Sequence, residues 1–239
     1  MPGDPVAGIV CALAVEARAL RPTTRPGAPC AVLADGSLLI VSGMGGVAAA
    51  AGARVLIDAG ATALASFGLA GGLDASLHPG AICLPGEVVG PDGTGLATSA
   101  HWRARVESAL VARYPVANGK LLSTDHVIAS IGEKAALHRS TAAIAVDMES
   151  LAVARVAGAH GLPFIAIRVI VDSAADNLPR AVAAAADQSG QLNIWRLLGA
   201  LARAPADIGP LMRLGSRYRA ASRSLSAVAG AGAWARQAF

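Results

Sequence analysis

Three carboxylates in this 239-residue chain stand where a carboxyl group can do chemistry. Asp172 closes the run Phe164-Ile165-Ala166-Ile167-Arg168-Val169-Ile170-Val171. At the end of a buried apolar strand a carboxyl is partly desolvated, which favours its neutral form. A neutral carboxyl near pH 7 is what a general acid requires. The carboxyl ends of strands in an α/β sheet are also where ligands bind. The plainer roles for Asp172 are a helix N-cap or an ion pair with Arg168 or Arg180. Glu149 sits in Ala145-Val146-Asp147-Met148-Glu149-Ser150, where a strand meets a helix. There it can accept two hydrogen bonds from a diol, or simply interact favourably with the helix dipole. Glu16 follows the first apolar run and could serve as a base.

Two glycine-rich turns follow strands: Ser42-Gly43-Met44-Gly45-Gly46, leading into a helix, and Gly68-Leu69-Ala70-Gly71-Gly72. Such turns let backbone N–H groups approach an anion or a sugar, and the first also sits at a helix N-terminus. Neither is G-x-G-x-x-G, and no G-x-x-x-x-G-K-[ST] occurs, which argues against dinucleotide and nucleoside-triphosphate sites.

The elements that must position these residues alternate in type. Strands are expected over 8–14, 37–42, 64–68, 81–89, 120–126, 142–148 and 164–172. Helices are expected near Val15 and over 46–59, 102–114 and 150–160. In the 46–59 helix, Val47, Ala50, Ala51, Val55 and Ile57 are available for burial. This alternation predicts an α/β fold with a largely buried sheet. The end of the chain reads differently. Ile194, Leu197, Leu198 and Leu201 share one helical face. After Pro205 and Pro210, Leu211, Leu214, Tyr218, Ala221 and Leu225 form a second stripe among arginines, with fraying expected from Ser226.

Composition narrows the classes. Apolar residues make up 54% and charged residues 15%, which builds a core rather than a disordered chain. Aromatics are 3%, too few for base-stacking platforms, so no nucleic-acid partner is expected. Cys11, Cys30 and Cys83 form no C-x-x-C pair and the histidines are scattered. Neither a disulfide framework nor a metal site is expected. No basic residue precedes the apolar run 6–15, and no charge-free run reaches the roughly 20 residues of a membrane span. A cytoplasmic protein, soluble or peripheral, is the expectation. The net charge of +4 is uneven: residues 180–239 hold eight arginines and two aspartates, so the remainder is slightly acidic. A basic tail of this kind can serve nucleic acid, an anionic membrane or a partner, or be a solvated helical face whose apolar stripe covers a core or dimer surface.

Five segments in order resemble the nucleoside phosphorylase and nucleosidase superfamily. They are Gly8-Ile9-Val10-Cys11-Ala12-Leu13-Ala14-Val15-Glu16, the turn from Ser42 continued through Ala50, the turn Gly68–Gly72, the junction Ala145–Ser150, and Pro163 through Asp172. The chain is similar to the methylthioadenosine/S-adenosylhomocysteine nucleosidase branch. The resemblance implies a three-layer α/β/α fold with a mixed central sheet, and cleavage of an N-glycosidic bond that releases adenine. It implies that Asp172 protonates the purine at N7, that Glu149 and Met148 hold the ribose, and that Glu16 positions the attacking water. Val127 and Ile128, with Asp125, fall where the family holds the purine. Met44 and Gly45 fall near the ribose 5′ side, and Leu69, Ala70 and Gly71 line the second turn.

The chain departs from the pattern where Val127 replaces a stacking aromatic, Val171 replaces a serine, and Leu69 stands at a serine-like position. These changes make the pocket more apolar. Together with the basic tail they resemble the hopanoid-associated phosphorylase subgroup, which carries such an extension and removes adenine from adenosylhopane. The implied organisation is a catalytic domain over 1–203 and an amphipathic extension over 204–239. The implied partners are a nucleoside with a hydrophobic 5′ group, a second copy in a homodimer, and a peripheral membrane contact. No cofactor is implied. Inorganic phosphate is the co-substrate if cleavage is phosphorolytic rather than hydrolytic, and the residues leave that choice open. A conventional nucleosidase and a non-catalytic nucleoside-binding protein are the alternatives.

Overall fold

The computed structural model describes residues 5–23, 27–177 and 208–232, with side chains in the last segment from residue 216 onward. The elements run β1 (Ala7–Cys11), α1 (Ala14–Ala17), a 3-10 turn (Arg18–Leu20), β2 (Ala31–Val32), β3 (Leu38–Val41) and α2 (Gly46–Asp58). They continue with β4 (Ala63–Gly72), β5 (Ile82–Cys83), β6 (Glu87–Val89), β7 (Gly95–Ala97), α3 (Ala100–Leu110), β8 (Val116–Ala117) and β9 (Lys120–Ser123). Last come α4 (Ile131–Thr141), β10 (Ala143–Asp147), α5 (Ser150–Ala159), β11 (Phe164–Asp172) and α6 (Ile208–Gly230).

Among the described residues, 11 strands form one mixed sheet in the order β2-β3-β1-β4-β10-β9-β6-β7, with β11 joined to β4 and β5, and β5 to β8. β1 and β11 flank β4 in parallel, while β10 meets only its far end, antiparallel, at Gly71 and Gly72. Alternation along the strands divides the core. Ile165, Ile167 and Val169 of β11 join Trp102, Val106 and Leu110 of α3 on one face. Phe164, Ala166 and Ile170 join Leu56 of α2 and Val153 and Ala157 of α5 on the other. Helices on both faces explain why the strand sequences are continuously apolar. The fold is thus the expected mixed sheet between helical layers.

Several local expectations change. The run 81–89 is two strands, because Leu84-Pro85-Gly86 interrupts the ladder and proline supplies no donor. Helix α2 buries Ala49, Gly52, Ala53 and Leu56; of the residues expected inside, Ala50, Val55 and Ile57 are only half-buried, Ala51 is exposed and Val47 is 91% exposed. In a helix this rich in alanine, side-chain size does not reveal the inward face. Helix α4 was not expected at all. Ser130 caps it by accepting from the Glu133 N–H at 3.2 Å.

Helix α6 does not fray at Ser226 but runs to Gly230. Its Ala221, Leu225 and Val228 are fully buried with the α3 and β11 side chains, so this stripe covers the core. The side chains of Leu211 and Leu214, the expected stripe from Ile194 to Leu201, and the boundary near residue 203 lie outside the described residues.

Candidate active site

The glycine-rich ends of the strands and the three carboxylates meet at one end of the sheet. Glu16 is buried in α1. Its Oε2 accepts the Leu13 N–H at 2.9 Å and its Oε1 the Leu69 N–H at 2.8 Å, so it ties the turn after β1 to the glycine-rich second half of β4, which continues as strand to Gly72 where a turn was expected. Burial pushes its carboxyl up, against the pull of Arg168 and of these backbone donors.

At the β10–α5 junction the work is divided between two acids. Asp147 accepts the Ser150 N–H, and Ser123 Oγ accepts the Leu151 N–H at 3.0 Å. These contacts satisfy the first donors of α5, the need every helix start has. Glu149 is therefore not spent on its own helix. Its Oε1 crosses to accept the Gly45 N–H at 2.8 Å, at the start of α2. Gly45 holds φ near +90°, where a side chain would be strained. Burial pushes the Glu149 carboxyl up to about 7, with Arg168 pulling down and Asp147 and Glu16 pushing up.

Arg168 is the hub that sequence reasoning missed. It lies in mid-β11, 1% exposed, with Nη2 on Asp147 Oδ2 at 2.6 Å, on Ser66 Oγ at 2.6 Å and 3.6 Å from Glu149 Oε2. Burial works against its charge, but Asp147, Glu149 and Glu16 outweigh it and hold the guanidinium above its usual range. Its Nη1 is buried without a hydrogen-bond partner among the described residues. Gly68 makes room for this group, because a Cβ there would collide with both Glu16 Oε1 and Arg168 Nη1. The charge was visible in the apolar run, but its partners, more than 100 residues apart in sequence for Ser66, were not.

Asp172 ends β11 where the register with β4 shifts, so that it pairs with Gly71. It does not pair with Arg168. Four strand residues span about 13 Å, too far for an ion pair. The partner is Lys134 of α4, fully buried, whose Nζ donates to Asp172 Oδ2. Burial pushes the Asp172 carboxyl up, opposed by Lys134.

The other candidates sit around this frame. Leu69, Gly71, Met44 and Met148 are half-buried and Ala70 is buried. Ile128 is buried with Leu73, Leu122 and Val146, and Val127 beside it is half-buried. Asp125 is not drawn in: its side chain is 95% exposed and bonds His126 at 2.7 Å. Among the described residues no group of three or more His, Cys, Asp or Glu is placed to hold a metal ion, and no helix is long and apolar enough to cross a membrane.

Buried carboxylates at the carboxyl ends of strands, beside glycine-rich backbone, suit a polyhydroxylated ligand with a leaving group to protonate. Residues 8–199 match the Phosphorylase superfamily. The chain belongs to that family. No functionally curated protein matches it in sequence. Among solved structures, this superfamily member resembles the 5′-methylthioadenosine/S-adenosylhomocysteine nucleosidase of Neisseria meningitidis in complex with methylthio-immucillin-A. The TM-score is 0.72 at 20% identity, over 96% of this chain and 98% of that one. The nucleosidase of Colwellia psychrerythraea in complex with adenine gives 0.65 at 25% identity, over 83% and 96%. Native futalosine hydrolase of Helicobacter pylori gives 0.67 at 18% identity, over 94% and 97%. The phosphorylase-superfamily chain is thus an enzyme of the nucleosidase or phosphorylase type.

Proposed function

We propose that this enzyme cleaves the N-glycosidic bond of a 5′-substituted adenosine and releases adenine, and that its substrate is adenosylhopane, a precursor of hopanoid lipids. The observation that carries the reaction is the convergence of Asp172, Glu149 and Glu16 at one end of the sheet. Adenine leaves poorly as an anion. The Asp172 carboxyl gives its proton to N7, the C1′–N9 electron pair goes to the base, and adenine departs neutral. Glu149 accepts hydrogen bonds from the ribose hydroxyls, and its charge favours the oxocarbenium-like sugar.

Water is the nucleophile in this reading. Glu16 and Arg168 lie together over Gly68, close enough that the guanidinium stabilises the ionised Glu16 carboxylate that must act as base. The attacking water gives a proton to Glu16 as its oxygen bonds to C1′. Solvent returns that proton to Asp172. Three carboxylates surround the single guanidinium, which disfavours a phosphate dianion by like-charge repulsion.

The hydrocarbon substituent is supported by Leu69 and Val171. It is also supported by a cavity of about 230 Å³ between α1 and α6, lined by Val15, Ala19 and Leu225 with Arg18, Tyr218, Ser222 and Ser226. In this reading α6 shelters the substituent rather than lying on lipid, since its Ala221–Leu225–Val228 stripe is already buried. A homodimer is supported by Val41 and Val47, 44% and 91% exposed on either side of the turn that carries Met44 and Gly45.

Adenine release from a long-chain 5′-alkyl adenosine and from methylthioadenosine, each with and without phosphate, tests the reading. Release from the alkyl substrate without phosphate is expected. Release from methylthioadenosine alone would make this a conventional nucleosidase, and a strict phosphate requirement would refute water as nucleophile.

A further inference from the structure

The residue that governs the leaving-group end of the site is one that the carboxylates alone do not reveal. Lys134 is one of two lysines in a chain with 18 arginines, and its side chain is 0% exposed. A buried ammonium is expensive unless all its donors are used. Here all three are. Nζ donates to Asp172 Oδ2, to the Ser173 carbonyl at 2.9 Å and to the Asp176 carbonyl at 3.1 Å. Both carbonyls belong to the turn after β11, so Lys134 fixes the acid and the backbone that carries it.

That turn is braced a second time. Asp176 Oδ2 accepts from Ser173 N at 3.0 Å and Ser173 Oγ at 2.6 Å, and Asp176 Oδ1 pairs with Arg217 of α6 at 2.8 Å. Asp172 Oδ1 takes no hydrogen bond from the described residues and lies over Gly71, where even a Cβ would leave 3.4 Å.

We propose that Lys134 is a positioning residue for the acid: it occupies Oδ2, leaves Oδ1 to carry the proton toward the base, and stabilises the carboxylate formed when that proton leaves. Lys134 thereby makes Asp172 a stronger acid without touching the substrate. This assignment rests on the functional reading above for its consequence, but its structural content can be tested without turnover.

The charged groups facing Asp172 are Lys134 from α4, Asp176 from the turn and Arg217 from α6. Burial raises the Asp172 carboxyl, and Lys134 is the largest opposing influence. Removing the ammonium therefore moves the carboxyl further up. The alkaline limb of kcat/KM, which reports loss of the protonated acid, moves up with it, by about one pH unit or more. The plateau falls about tenfold, because a weaker acid transfers its proton less readily.

Two measurements decide the matter. In wild-type protein labelled with 15N-lysine there are only two side-chain amines. The Lys134 Nζ resonance is expected to exchange slowly with solvent and to shift over the pH range in which the Asp172 carboxyl titrates, a response lost in Asp172→Asn. A Lys134 amine exchanging as fast as that of Lys120, or blind to Asp172, would overturn the assignment. In Lys134→Met, the alkaline limb is expected to rise and the plateau to fall. A lowered plateau with an unmoved limb would mean a merely structural lysine. If wild-type protein releases no adenine from any 5′-substituted adenosine, the functional reading fails, and the lysine resonances still decide the pairing.

Discussion

Arg168 and Lys134 are both fully buried cations at the same end of the sheet, yet their surroundings are opposite. Arg168 faces Asp147, Glu149 and Glu16 and keeps one nitrogen unpaired. Lys134 faces one carboxylate and two carbonyls and keeps none. The first region carries surplus negative charge, which suits a sugar that becomes cationic. The second is locally neutral and satisfied, which suits a proton donor that must be aimed. The side-chain types follow: a guanidinium spans several partners in a fixed plane, and an ammonium concentrates its charge on one oxygen.

The largest expected effect is on the leaving-group side. Asp172→Asn removes the proton donor and should lower adenine release by about 100- to 10,000-fold. Initial rates at saturating substrate read this out, and near-normal turnover would remove Asp172 from catalysis. On the other side, Arg168→Met leaves Asp147, Glu16 and Glu149 without their cation. Breaking a buried pair by removing one partner costs about 3–5 kcal/mol. Denaturant unfolding of this variant measures it. A loss below about 1 kcal/mol would show that packing, not charge, holds the cluster.

Glu149→Gln sharpens the contrast through pH. The folded carboxyl is raised to about 7, above its unfolded value. Between the unfolded and folded values the native state binds more protons, so the contribution of Glu149 to stability is present at low pH and lost as pH rises toward and past 7. Relative to wild type, the glutamine variant should therefore gain roughly 2–3 kcal/mol between pH 4.5 and 8. A stability difference independent of pH would contradict the raised carboxyl.

The smallest effects separate the two glycines. Gly68→Ala drives a methyl into Glu16 and Arg168 and should cost about 1–3 kcal/mol. Gly71→Ala meets Asp172 Oδ1 only at 3.4 Å, an ordinary contact, and should cost less than about 1 kcal/mol. Equal thermal shifts for the two would dissolve the distinction between a crowded and an open end.

Much of the frame was legible in the sequence. The run 164–172 is a strand with its stated ends, the 150–160 helix is one residue shorter, and the turn from Ser42 does follow a strand and meet Glu149, whereas Gly68–Gly72 is no turn but the second half of β4. Elsewhere the sequence misled. Val47 looked like core and faces outward, because alanines fill the inward face of α2. The stripe of α6 was legible as apolar, and of the uses open to it the structure shows that Ala221 and Leu225 cover the core, while Arg217 turns inward to Asp176.

The sequence alone determined the layers and where the strands of the site run, though only β11 keeps its expected ends, because burial on both faces writes itself as continuous apolar runs. It also determined which acids stand at those ends. Only the tertiary structure decided what each acid faces. Lys134 is 38 residues from Asp172 and lies on a weakly patterned helix, and Arg168 of β11 finds Glu16 on α1 and Glu149 at the start of α5. Ion pairs are made in space between groups that carry no periodic signal, so their partners become visible only when the sheet brings the strand ends together.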